Sequence, residues 1–156
     1  MIGVLDGAST SIYVINSPKS AAQCGSTLHT SGALYAFSPS HPSDNFLFAV
    51  VHRFDLQDYI ALYGRADETN SLQELCKFRS RSSDVALLRW STGSGPLLIA
   101  ADSPLSYRLA VYSPAGDCMC FFEAYQHALG LRCLGIGHGA ASALLSAGSF
   151  DGTVSR

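Results

Sequence analysis

Short apolar runs that recur in fours constrain this chain more than any other feature. Two of them end in tyrosine, Ile60-Ala61-Leu62-Tyr63 and Leu109-Ala110-Val111-Tyr112, and the two tyrosines stand 49 residues apart. Ser11-Ile12-Tyr13-Val14 is a weaker relative. Before each strong run lies another, Phe46 to Val51 and Leu97 to Ala101, and before those come Ala33 to Phe37 and Val85 to Trp90. Leu72 to Phe78 and Cys118 to Phe122 follow. Each is short and bounded by turn residues, the pattern of a buried strand rather than a helix. Four strands per unit, repeating at about 45 to 50 residues, is the arithmetic of a β-propeller blade.

The residues between the runs agree. Phe37-Ser38-Pro39 and Trp90-Ser91-Thr92-Gly93 each close a first strand with an aromatic followed by turn formers. Ser113-Pro114-Ala115-Gly116-Asp117 separates third from fourth. The Asp151-Gly152 step suits a tight hairpin in which glycine takes a positive φ. The expected fold is therefore all-β, a partial WD40-type β-propeller of about three blades, truncated at both ends and not a closed ring. Its units are the end of a broken blade at 1–26, blades at 27–80 and 81–124, and an incomplete blade at 125–156.

Composition narrows the function classes. Only 14% of the 156 residues are charged and 47% are hydrophobic, with 14 glycines, which favours strands and tight turns over solvated helices. A net charge of −2 leaves no electrostatic footprint for nucleic acid or anionic lipid. No run approaches the roughly 20 apolar residues of a membrane span, and no signal-peptide pattern opens the chain. Cys24, Cys76, Cys118, Cys120 and Cys133 form an odd set without framework spacing, as expected of reduced thiols. The chain reads as soluble and cytoplasmic.

From about Leu28 to Val154 the sequence resembles the WRAP-type WD-repeat proteins of centrosomes and spindle poles. The carrying residues are Asp58 to Tyr63, Val85 to Ser91, Leu105-Ser106-Tyr107-Arg108 running on to Pro114, and Gly148 to Gly152. The segment Ala124-Tyr125 with Ala128-Leu129-Gly130-Leu131-Arg132 separates this family from WD repeats at large. The resemblance implies a non-catalytic scaffold in microtubule organisation at centrosomes and spindle poles. It also implies protein partners: coiled-coil centriolar-satellite components and a minus-end-directed kinesin. Ile136 departs from the family, standing where the first strand of a blade usually ends in tryptophan.

An alternative is a fragment of a nucleotide-binding oxidoreductase. Gly135-Ile136-Gly137-His138-Gly139-Ala140 fits a dinucleotide fingerprint, with a helix-like Ala141 to Ala147 behind it. Other chemistry finds no pattern. Gly93-Ser94-Gly95 is not a nucleophile elbow, and His29, His41, His52, His127 and His138 form no metal-ligating pair. Asp55 and Asp58 read as solvated carboxylates at a turn, and Trp90, Tyr63 and Tyr112 as core. No catalytic residue, cofactor or metal site is assigned.

Propellers bind through loops held on one face of a rigid scaffold. Here those are the loops between second and third strands and the links between blades. They nominate Arg53, Phe54, Asp102, Tyr125, His127 and Phe150 as protein-binding residues, since Arg, Tyr and Phe are prominent at interface hot spots.

Overall fold

A computed structural model describes residues 2–6, 9–17, 20–23, 32–39, 47–65, 72–92, 95–102, 107–123, 130–138, 143–149, 152 and 154–155. Among these residues every regular element is a strand. β1 (Ile2–Asp6), β2 (Ser9–Ser17) and β3 (Ser20–Gln23) form one antiparallel sheet. β4 (Gly32–Phe37), β5 (Leu47–Phe54), β6 (Gln57–Arg65) and β7 (Leu72–Arg79) form a four-stranded meander. β8 (Val85–Trp90), β9 (Leu98–Asp102), β10 (Arg108–Tyr112) and β11 (Cys118–Glu123) form a second. β12 (Leu131–His138), β13 (Ala143–Ser149) and β14 (Val154–Ser155) make the last sheet.

The central strands are apolar on consecutive residues because both of their faces are covered. Phe48 and Val50 of β5 pack with Ala61 and Tyr63 on one side of the first meander. Ala49, Val51, Ile60 and Leu62 face the other way and meet Val85, Leu88, Trp90, Leu98, Ala100 and Tyr112 of the second. Ile99, Ala101 and Leu109 cover the far face of that meander against Leu131 and Ala147 of the last sheet. β4 lies beside β8, and β8 beside β12, so the leading strands of successive sheets are neighbours. Antiparallel meanders stacked face to face and joined at their leading strands make a partial, unclosed WD40-like propeller.

The repeat extends to single hydrogen bonds. Ser38 follows β4, its backbone N–H donates to the Leu47 carbonyl and its hydroxyl oxygen accepts from the Leu47 N–H. Ser91 follows β8 and makes the same pair of bonds with Leu97. A bulge falls between Leu62 and Tyr63 against β7, and another between Val111 and Tyr112 against β11. The tyrosines that end the two strongest apolar runs thus hold equivalent places. Gly152, with φ of 87°, donates its N–H to the Ser149 carbonyl beyond β13.

The glycine-rich segment corrects one sequence expectation. Gly135 to His138 lie within β12 and pair antiparallel with Ser146 to Ala143 of β13. Of Ala141 to Ala147, expected to be helical in the oxidoreductase alternative, the described residues 143–147 are strand, so among the described residues no helix follows the motif to receive a pyrophosphate.

Trp90 joins the two meanders: its indole is buried in their shared core and its Nε1–H donates to the Ala36 carbonyl of β4 at 3.1 Å. Replacing a packed aromatic by alanine costs about 3–5 kcal/mol, a large share of a small domain's stability. Trp90→Ala is expected to abolish the cooperative thermal transition, and an unchanged melt counts against this packing.

Candidate protein-interaction surface

One end of the meanders is built around the link between them, residues 80–84. A connection lying over a core must satisfy its own backbone polar groups. Here nearly every amide is used. Ser80 N–H donates to the Asp58 carbonyl at 2.8 Å, and Arg81 N–H to the Tyr112 hydroxyl at 2.8 Å. Ser82 N–H bonds Ser80 Oγ at 3.1 Å, and Asp84 N–H reaches Asp102 Oδ1 at 3.3 Å. Val85 N–H donates to Asp58 Oδ2 at 2.5 Å. The Gln57 amide nitrogen adds bonds to the carbonyls of Ser80 and Ser82.

Two buried carboxylates anchor this network, one from each meander. Asp58, at the start of β6, is 0% exposed. Its carboxylate takes a forked pair from Arg53, Nε to Oδ1 at 2.9 Å and Nη2 to Oδ2 at 3.1 Å, besides the Val85 amide. The forked geometry is the strong form of a guanidinium–carboxylate contact. Arg53 Nη2 also reaches Asp84 Oδ1 at 2.8 Å, tying the second strand of one sheet to the link. Asp58 is therefore not the solvated turn carboxylate that its spacing from Asp55 indicates. It sits where the link passes over the core, and three donors replace its water. Asp55, one turn position away, is exposed as expected.

The second meander repeats the arrangement with the charges exchanged. Asp102 ends β9 and Arg108 begins β10, with Arg108 Nη1 at 3.7 Å from Asp102 Oδ2. Asp102 is 2% exposed and accepts a short hydrogen bond from the Ser82 hydroxyl. Arg108 bonds Glu123 of β11 more closely, Nε to Oε1 at 2.7 Å. Burial pushes the Asp102 carboxyl above its ordinary range, and the bonds from Ser82 and Asp84 with the charge of Arg108 pull it only part of the way back.

On this base stands the β5–β6 hairpin. Phe54 pairs with Gln57 across a loop of Asp55 and Leu56, which have φ of 48° and 61°. Both positive values mark the primed turn that matches strand twist, normally made with asparagine or glycine. A leucine held in the left-handed region costs on the order of 1–2 kcal/mol. Its side chain is 91% exposed, and that of Phe54 is 66% exposed. Two large apolar groups thus project into solvent from a strained turn whose stem is clamped by Arg53 and Asp58. The continuous β5–β6 register leaves only these two residues for the loop and so imposes the strained conformation.

Arg53 and Phe54 stand on this surface, while Asp102 lies beneath it and braces the link through Ser82 and Asp84. Tyr125, His127 and Phe150 fall outside the described residues. Sequence reasoning missed Leu56, Asp58 and Ser82. The apolar runs leave eight residues, 52–59, between them, so the two-residue loop at Asp55-Leu56 emerges only from the β5–β6 register.

No protein-family model matches the chain. Over 111 residues it is 29% identical to the WD repeat-containing protein WRAP73 of Mus musculus, a stretch covering 71% of this chain and 22% of the mouse protein. Together with the stacked meanders, this similarity supports a WD-repeat relationship and, with it, a protein-interaction role.

The raised Asp102 carboxyl has a signed consequence. It binds its proton more tightly folded than unfolded, so it favours the fold at low pH and loses that contribution as pH rises through its folded pKa. Asp102→Asn keeps an acceptor oxygen and removes the titration. Relative to that variant, the native chain is expected to gain stability as pH falls from about 7 toward about 4.5 in urea melts. Asp102→Ala strands the Ser82 hydroxyl and is expected to lose about 1–3 kcal/mol. A gap between native and Asn chains that does not change with pH contradicts this reading.

Proposed function

We propose that this chain is a non-catalytic interaction scaffold whose binding face is the end carrying the β5–β6 hairpin and the link at 80–84. Residues 27–80 and 81–124 serve as two blades, between parts of blades at 1–26 and 125–156. Phe54 and Leu56 are the apolar anchors and Arg53 the charged contact beside them. Tyr125, His127 and Phe150, nominated from the sequence alone, are further contacts in this proposal, and Asp102 braces the hairpin end from below. The observation that carries this reading is the pair of exposed apolar side chains on a strained, clamped turn. Anchors of that kind, held rigid before contact, reduce the ordering entropy of binding.

The setting we propose is centrosome and spindle-pole assembly in microtubule organisation, with coiled-coil satellite components and a minus-end-directed kinesin as partners. Its support is the family resemblance of Asp58 to Tyr63 and of Ala124 to Arg132, together with the similarity to a mouse WD-repeat protein.

Leu56→Gly separates stability from binding. Glycine accepts positive φ freely, so the variant is expected to be about 1 kcal/mol more stable than the native chain. Combined with Phe54→Ser it removes both anchors, a loss of at least about 2 kcal/mol or roughly 30-fold in affinity if they are hot spots. A fluorescently tagged full chain is expected to concentrate at spindle poles in dividing cells, and the doubly substituted chain to disperse despite melting no lower. Equal concentration of the two at the poles refutes the anchors, and absence of the native chain from the poles refutes the setting.

A further inference from the structure

At the end of the meanders opposite the β5–β6 hairpin, β4 and β8 part to leave a cavity of about 350 Å³. Its walls are Tyr35, Phe37 and Pro39 from the first sheet, and Leu88, Arg89 and Trp90 from the second. The size falls within the range of ordinary ligand pockets, which combine apolar walls with a few polar groups. The aromatic wall is held in place from behind. Tyr35 meets Phe37 edge-on at 6.0 Å, and Phe37 stacks on buried Phe48 at 4.7 Å. The Trp90 indole N–H is already spent on the Ala36 carbonyl. Arg89 supplies the charge. It is exposed between two buried neighbours, Leu88 and Trp90, and among the described residues no carboxylate lies within ion-pairing reach of its guanidinium.

We propose that this cavity receives an acidic peptide segment of a partner protein, an aspartate or glutamate beside an apolar or aromatic side chain. The carboxylate pairs with Arg89, whose planar donors fit it in two parallel bonds, and the apolar neighbour lies against Tyr35 and Phe37. Charge selects this occupant over its main rival. Three aromatic rings around a cavity suit a cation, but the Arg89 guanidinium on the same wall repels one. Among the described residues none that lines the cavity is acidic.

Trp90 is the chain's one tryptophan, so its emission reports on this cavity alone. The probes are acetyl-Ala-Glu-Phe-Ala-amide and the same peptide with Gln or Lys in place of Glu, titrated into the full chain. The Glu peptide is expected to change Trp90 emission saturably, with the Gln peptide about tenfold weaker and the Lys peptide without effect. Arg89→Gln changes an exposed side chain, so its own emission and melt should match the native chain. In that variant the preference for Glu over Gln is expected to vanish. No emission change up to millimolar Glu peptide overturns the proposal. So does an equal response to Gln, a stronger response to Lys, or a preference that survives in Arg89→Gln.

Discussion

Two buried carboxylates, Asp58 and Asp102, hold the link between the meanders, and the rest of the described structure depends on that hold. The packing between the sheets is aliphatic and aromatic, and burial of such surface is strong but non-directional. Left to that force, one sheet slides or rotates on the other at little cost. The link at 80–84 removes that freedom because it is bonded to both sheets at once. Asp58 reaches forward to the first residue of β8, while Asp102 reaches back to Ser82 and Asp84. Tyr112 closes the arrangement by accepting the Arg81 amide from inside the core. An unpartnered buried carboxylate is costly, so each alternative seating of the link must break several bonds together.

The same hold gives the end that carries the β5–β6 hairpin its rigidity. Arg53 is shared between Asp58 and Asp84, so the stem of the β5–β6 hairpin and the link are one unit. Leu56 stays in its left-handed conformation because eight registered pairs between β5 and β6 leave two residues for the turn. The outer strands carry no such burden and have diverged. Relative to the bulge, Lys77 of β7 corresponds to Phe121 of β11 and Leu75 to Met119, and all four are exposed. Repetition is strict where sheets touch, as at Ser38 and Ser91, and loose where they meet solvent.

What could be read from the sequence follows the same division. Strands buried on both faces announce themselves as unbroken apolar runs, and β5, β6, β9 and β10 all fall on such runs. Trp90, Tyr112 and the Gly152 turn were legible because their chemistry admits few other uses. Asp58 was not: a carboxylate beside a turn is read as solvated, and only the path of the link over the core puts donors around it. Leu56 was hidden by the opposite effect, since nothing in a leucine signals positive φ until the register of β5 and β6 is known. The glycine-rich run 135–139, the basis of the alternative reading, satisfies a motif by spacing, but a second strand, β13, pairs with residues 135–138 where the motif's context calls for a helix. Of the nominated residues, Arg53 and Phe54 were read as loop but end β5, where both are exposed, whereas Asp102 ends β9 and is buried against Ser82 from a distant loop.

The central claim is that the link is part of the folded core and not a tether, and native-state hydrogen exchange at single-residue resolution tests it most directly. The amides of Ser80, Arg81, Ser82, Asp84 and Val85 all have acceptors within the chain. The account predicts that they exchange as slowly as those of Val50 and Ala100 in the central strands, and that Asp58→Ala releases them together. Exchange of these five amides at the rate of an unstructured chain, with the strands still protected, would contradict it.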